Sequence, residues 1–310
     1  MTTFAIAFAG QGSQSVEMMA GFTGMPVVQR TFEEAADILK FDIWKMAVEG
    51  PAEIQNQTVN TQPLMLSAGV AIFRAWQEMG GRAPAFFAGH SLGEYTALVA
   101  AGALRFADAL PLVRLRAQAM QDAVPEGTGG IAAVLGLDAE QVRAVCSEAA
   151  NGEVLEAVNL NSPGQIVIAG HLAAVERGMT LAKARGAKRT MMLPMSVPSH
   201  CALMKPAAEK LAIALRTVTC NVPVIPVIQN ADVSVCSVAD RIKRALVEQL
   251  YRPVRWTETI QAIAAGGATA VIECVPGRVL TGLNKRIDAS LDCRAVSDIT
   301  TLVAAIEATR

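Results

Sequence analysis

Histidine is scarce in this chain. Among 310 residues only His90, His171 and His200 occur, which limits every catalytic or metal-binding scheme to three imidazoles. The six cysteines, at positions 146, 201, 220, 236, 274 and 293, show no close paired spacing, so neither a zinc cluster nor a disulfide framework is expected. Isolated thiols in a chain without a secretion-type leader suit a reducing cytoplasm. Neither sign of charge predominates: 27 Lys and Arg stand against 28 Asp and Glu, so the basic excess that attracts nucleic acid is missing. Long uninterrupted apolar runs are missing too, and with them any expected membrane span. The apolar start, residues 1–9, has no basic leader and ends in a Gly/Gln/Ser turn, so it reads as a first strand.

What is abundant is core-forming material. Hydrophobic residues make up 52% of the chain, enough for a large α/β body with a smaller domain. Residues 3–9 and 83–88 have the character of buried strands, whereas 61–76, 92–101 and 108–120 carry helical spacing. This alternation predicts a parallel sheet covered by helices. After a Pro/Gly-rich linker at 125–130 the rhythm changes to strand 131–137, helix 139–149, strands 154–160 and 165–169, helix 172–184 and strand 189–194. Asn161-Ser162-Pro163-Gly164 forms the hairpin turn between the two central strands. The order βαββαβ predicts a ferredoxin-like unit. Helix 204–215, strand 223–228, helices 239–249 and 257–265, strand 270–274 and helix 300–309 follow.

The expected fold class is therefore α/β. A large α/β-hydrolase-like body with a parallel sheet would comprise residues 1–126 and 197–310, and a small ferredoxin-like α+β domain would be inserted at 127–196. No repeat or coiled coil demands assembly, so a monomer is the default.

Gly89-His90-Ser91-Leu92-Gly93 lies between the second strand and a helix, the setting in which a strained turn exposes a serine nucleophile. The plainer alternative is a glycine-lined packing turn. In the nucleophile reading the Leu92 N–H can point where an oxyanion forms, and Gly10-Gln11-Gly12-Ser13-Gln14, after the first strand, can bring further backbone donors. A serine needs a base. His90 is adjacent, but neighbouring side chains diverge on a sharp turn; His171 opens a helix of the small unit and reads as packing or surface structure. His200, in Val197-Pro198-Ser199-His200, falls where the chain returns to the serine-bearing body. No histidine follows it, so the Ser, acid, His order of an ordinary α/β-hydrolase is absent. No acid can be assigned to His200 by spacing, and a backbone carbonyl or an amide can hold its second nitrogen instead. Arg116 shares an apolar helix face with Leu112, Val113, Ala119 and Met120. Its guanidinium either holds a substrate carboxylate or serves a structural ion pair or a snorkelling role.

Taken together, these motifs, with Gly89-His90-Ser91-Leu92-Gly93-Glu94-Tyr95, Asn161-Ser162-Pro163-Gly164-Gln165, Gln249-Leu250 and Pro276-Gly277-Arg278-Val279-Leu280-Thr281-Gly282-Leu283, resemble the malonyl-CoA:acyl carrier protein transacylases of bacterial type II fatty-acid synthesis. The resemblance covers nearly the full length. It implies Ser91 as nucleophile, His200 as base and acid, and Arg116 as partner of the malonyl carboxylate. It further implies Gln11 and Leu92 as backbone oxyanion donors and Gln249 as the residue that orients His200 through its main-chain carbonyl. Malonyl-CoA would be the substrate, CoA a product, and holo-acyl carrier protein the acceptor, with no metal or bound cofactor. Two departures, Ala9 before Gly10 and Val275 before Pro276, touch loop rigidity and leave the reacting groups in place. An acidic carrier would suit either the Lys183, Arg185, Lys188 and Arg189 cluster or Arg278 with Lys285 and Arg286. A serine hydrolase or thioesterase, and an inactive carrier-binding module, are the competing readings.

Overall fold

Phe4-Ala5-Ile6-Ala7-Phe8 is buried at all five positions, as a central strand covered on both faces must be. Each of its larger side chains contributes roughly 2–3 kcal/mol by leaving water. This strand, β1 (Phe4–Phe8), is the middle of a five-stranded parallel sheet in the computed structural model, which describes residues 2–195 and 197–310. β1 is followed by helices α1 (Pro26–Leu39), α2 (Ile43–Glu49), α3 (Ala52–Gln55) and α4 (Thr58–Glu78), then by β2 (Phe86–Gly89), α5 (Gly93–Ala100) and α6 (Phe106–Asp122).

Next comes a four-stranded unit: β3 (Gly129–Leu135), α7 (Ala139–Ala150), β4 (Leu155–Ser162), β5 (Gln165–His171), α8 (Leu172–Ala184) and β6 (Arg189–Met192). The chain then returns through α9 (Lys205–Leu215), β7 (Val227–Ile228), α10 (Ala239–Gln249), α11 (Trp256–Ala265), β8 (Ala270–Glu273), α12 (Val279–Ile287), β9 (Asp292–Ala295) and α13 (Ile299–Ala308).

The larger sheet has the order β7-β2-β1-β8-β9, and every pairing in it is parallel. The smaller has the order β4-β5-β3-β6, and every pairing in it is antiparallel. Each sheet buries its own apolar side chains: Phe8, Trp76 and Ile272 belong to one cluster, Val134, Ile168 and Val175 to another. The units are stitched by backbone. Val254 N–H donates to Val158 C=O and Leu160 N–H to Val254 C=O, each at 2.9 Å.

The α/β class, the parallel sheet and the βαββαβ order agree with the sequence expectations. The expected insert ends on Ser196, which, like Met1, lies outside the described residues. Strand 223–228 shrinks to Val227–Ile228, because Pro223 and Pro226 have no N–H to give a ladder. Helices α2 and α3 are too short for a periodic signal. Helix α12 starts where Glu273 accepts from Leu280 N–H at 3.0 Å and Thr281 N–H at 2.7 Å, a cap supplied from a different element. Strand β9 is an edge strand whose Asp292 and Arg294 are exposed, so it carries no continuous apolar run.

Candidate active site

Parallel register decides where the site forms. Phe8 pairs with Gly89, so the loop leaving β1 and the turn leaving β2 emerge side by side at the carboxyl edge of the sheet. The turn demands glycine. A Cβ on Gly89 would come within 1.9 Å of the Gly93 carbonyl, and one on Gly93 within 2.0 Å of the Phe8 oxygen. Between them Ser91 sits at φ 52°, a left-handed conformation that a serine holds only under constraint. Gly10 is pressed against the same turn, since a Cβ there would meet the His90 oxygen at 2.5 Å and the Leu92 nitrogen at 3.4 Å. Neither the Gln11 nor the Leu92 N–H donates to another protein group among the described residues. Both residues line a cavity of about 430 Å³ that also receives Ser91, Arg116 and His200.

His200 is held by the end of α10. Its Nδ1 lies 2.7 Å from the Gln249 carbonyl oxygen, an acceptor left open where the helix stops. A carbonyl only accepts, so Nδ1 carries the proton and Nε2 is the free base. Ser91 Oγ is 2.8 Å from that Nε2 and donates to it. The His200 N–H donates to the Leu250 carbonyl at 2.9 Å, a second anchor at the same helix end. Burial, and next the positive charge of Arg116, push the His200 pKa down to about 3, so the imidazole is neutral near neutral pH.

Arg116 is 1% exposed, which decides its character. Nη1 donates to Gln62 Oε1 at 2.8 Å, while Nη2 donates to Gln249 Oε1 at 3.0 Å and to Ser91 Oγ at 3.2 Å. All three acceptors are neutral, and the guanidinium lies over the Tyr95 ring at 5.4 Å. A buried cation without a bonded carboxylate, opening on a cleft, is a site for an anion.

Below it, Gln249 Nε2 donates to Glu94 Oε2 at 2.8 Å and to the Ser91 carbonyl at 3.0 Å. Burial raises the Glu94 pKa from 4.5 to about 7, against the hydrogen bonds from Gln249 and Asn230, which lower it.

The raised Glu94 pKa has a consequence for stability. Folded Glu94 keeps its proton between pH 4.5 and 7 while the unfolded chain releases it, so its contribution is full below pH 4.5 and lost as pH rises through 7. Glu94→Gln preserves an acceptor oxygen and removes the titration. Measured by denaturant unfolding, the variant is expected to gain on the parent between pH 5 and pH 8 by roughly 3 kcal/mol. An unchanged difference between the two pH values would show that Glu94 does not titrate in this window. His200 has the opposite sign: its pKa is lowered from 6.5, so its contribution is full above that pH and is lost as pH falls toward about 3.

Of the residues singled out in the sequence, Ser91, His200, Arg116, Gln11 and Leu92 line this cleft, and Gln249 lies behind it, bonded to Arg116 and His200. His90 also lines the cleft but is engaged there, its Nε2 2.8 Å from Asn161 Oδ1 and its ring 5.5 Å from that of Trp256. His171 is remote and structural, its Nδ1 accepting from Val154 N–H at 3.0 Å. Gln62, Asn230 and the Gln249 side chain had no sequence signal for their contacts, because a lone amide in a helix or turn has no spacing to read. Among the described residues no group of three His, Cys, Asp or Glu is placed to hold a metal, and no helix is long and apolar enough to cross a membrane.

A strained serine turn on a parallel sheet, with a neutral imidazole in reach, is the arrangement of an acyl transferase, and the family model described as "Acyl transferase domain" matches residues 6–300. The malonyl CoA-acyl carrier protein transacylase of Escherichia coli (strain K12) is 53% identical over 308 residues, covering 99% of this chain and 100% of the relative. That of Bacillus subtilis (strain 168) is 44% identical over 309 residues, covering 99% and 97%. A malonyl-transacylase solved in complex with its type II PKS acyl-carrier protein superposes with a TM-score of 0.98 at 52% identity, covering 99% of this chain and 100% of that one. The chain belongs to the malonyl CoA-acyl carrier protein transacylase family.

Proposed function

We propose that this chain transfers the malonyl group of malonyl-CoA to the phosphopantetheine thiol of holo-acyl carrier protein through a malonyl-serine ester, for fatty-acid chain elongation. The observation that carries the acyl specificity is Arg116, a buried guanidinium 3.2 Å from Ser91 Oγ with no carboxylate bonded to it. A planar fork in that position pairs with the free carboxylate of a malonyl thioester and sets its carbonyl against Ser91. His200 Nε2 takes the Ser91 proton as Oγ attacks, and the Gln11 and Leu92 N–H groups receive the oxyanion. The carbon–sulfur bond then breaks and the departing CoA thiolate takes the proton from His200. In the second half the carrier thiol gives its proton to His200 and attacks the ester, and Ser91 Oγ leaves with that proton. No bound cofactor takes part.

The antiparallel unit is best read as a ferredoxin-like domain, residues 127–196, inserted in an α/β-hydrolase-like body of residues 1–126 and 197–310. Its all-antiparallel sheet and separate apolar cluster support this reading. For the carrier, the Arg278, Lys285 and Arg286 group is favoured. These cations are exposed on and just before α12, while Val279, Leu280 and Leu283 of that helix line the cavity.

The test follows labelled malonyl-CoA with and without holo-acyl carrier protein, in the parent and in Ser91→Ala. Label retained on the parent protein and passed to the carrier, with none on the variant, is the expected result. Rapid free malonate with no carrier product would make the protein a hydrolase, and no bound or transferred label would make it an inactive binding module.

A further inference from the structure

Asn230 lies on the turn after β7, completely buried and outside the cavity lining. Its side chain nevertheless reaches the serine turn, 139 residues earlier in the chain. Oδ1 accepts from Ser91 N–H at 2.7 Å, and Nδ2 donates to the Gly89 carbonyl at 2.5 Å. One carboxamide therefore grips the peptide groups on both sides of His90.

The grip is itself held. The Asn230 N–H donates to Glu94 Oε2 at 3.0 Å, and its carbonyl accepts from Arg255 N–H at 3.2 Å. Its turn is closed by Gln229 N–H to Ser234 C=O at 2.9 Å and carries Val233 at φ 57°, a conformation a β-branched residue adopts only when its surroundings impose it. In a left-handed turn the Ser91 N–H has no helical acceptor. Left unpaired in the interior, it and the Gly89 carbonyl would each be destabilising.

We propose that Asn230 is a positioning residue for acyl transfer: its carboxamide keeps the strained turn in the shape that puts Ser91 Oγ within reach of His200. It also occupies the Ser91 N–H, so that the open donors beside the nucleophile are those of Leu92 and Gln11. Asn230 touches neither substrate nor reacting atoms and acts through Ser91. The inference rests on Ser91 being the nucleophile.

The test uses an alkyl fluorophosphonate, with which Ser91 Oγ forms a bond to phosphorus, fluoride leaves and the hydroxyl proton passes to His200. Intact-protein mass gives both the rate constant and the final stoichiometry of labelling. Ser91→Ala is the control for the underlying reading: a labelled control would overturn the nucleophile assignment whatever Asn230 does. With an unlabelled control, Asn230→Ala is expected to react about 10²-fold more slowly while reaching full stoichiometry, as for a misplaced reacting group. Asn230→Asp keeps an acceptor for Ser91 N–H and loses the donor to Gly89, and is expected to fall about tenfold.

A purely structural role would give parental rate constants with reduced stoichiometry, because fewer molecules are folded. That result, or a rate constant within about threefold of the parent, overturns the proposal. Melting curves establish which variants are folded at the assay temperature. If Asn230→Ala is not, Asn230→Asp decides by the same two quantities.

Discussion

Replacing His200 by alanine will lower kcat for malonyl transfer by about 10³- to 10⁴-fold, with the protein still folded and KM for malonyl-CoA little changed. The expected loss is large because, in the proposed mechanism, one imidazole serves both halves of the exchange. In the proposed exchange its Nε2 takes the Ser91 proton and returns it to the departing thiolate, and neither other imidazole is free to replace it: His90 is engaged with Asn161, and His171 with the Val154 backbone. Steady-state kinetics check the split, since a lost general base depresses kcat and kcat/KM together.

The parent's pH profile checks the protonation state. With a His200 pKa held down to about 3 by burial and then by Arg116, the imidazole stays neutral as pH falls through 6.5, the usual histidine value. No decline in kcat/KM centred there is expected between pH 8 and pH 5. Because Glu94 titrates near 7 beside Gln249, a decline with its midpoint near 6.5 that persists in Glu94→Gln would mean that His200 titrates as an exposed histidine.

The second large effect is at Arg116. Arg116→Ala is expected to lower kcat/KM for malonyl-CoA by about 10²- to 10³-fold, the cost of leaving a buried carboxylate unpaired, and to affect acetyl-CoA far less. Arg116→Lys keeps the charge without the planar fork and should fall between. Equal losses with both thioesters would remove Arg116 as the selector of acidic acyl groups. The same variant also moves the base: without the guanidinium the His200 pKa rises, though burial, the larger cause, still holds it below 6.5. The acidic limb of the kcat/KM profile should therefore shift to higher pH.

The legible parts of the chain are those where chemistry is local. Gly89-His90-Ser91-Leu92-Gly93 could be read because close backbone approach excludes side chains at both glycines, where an added Cβ would come within 1.9 and 2.0 Å of neighbouring backbone. The βαββαβ order could be read because each element carries its own hydrophobic period. Helix α12 and strand β9 could not, since one depends on a cap from Glu273 and the other on a neighbouring strand. Asn230 could not either. Nothing around it marks it as different from any other turn asparagine, and its role comes from a contact with a distant turn.

The sequence by itself determined the candidate reagents: a serine on a glycine turn, a histidine where the chain returns to it, and an arginine on an apolar face. Only the tertiary structure decided how they work together. The pairs that matter, Ser91 with His200, with Asn230 and with Gln249, are 109, 139 and 158 residues apart, and the parallel register and the end of α10 bring them together. Burial is likewise a property of the folded chain; it pushes the His200 pKa down and leaves Arg116 among neutral partners.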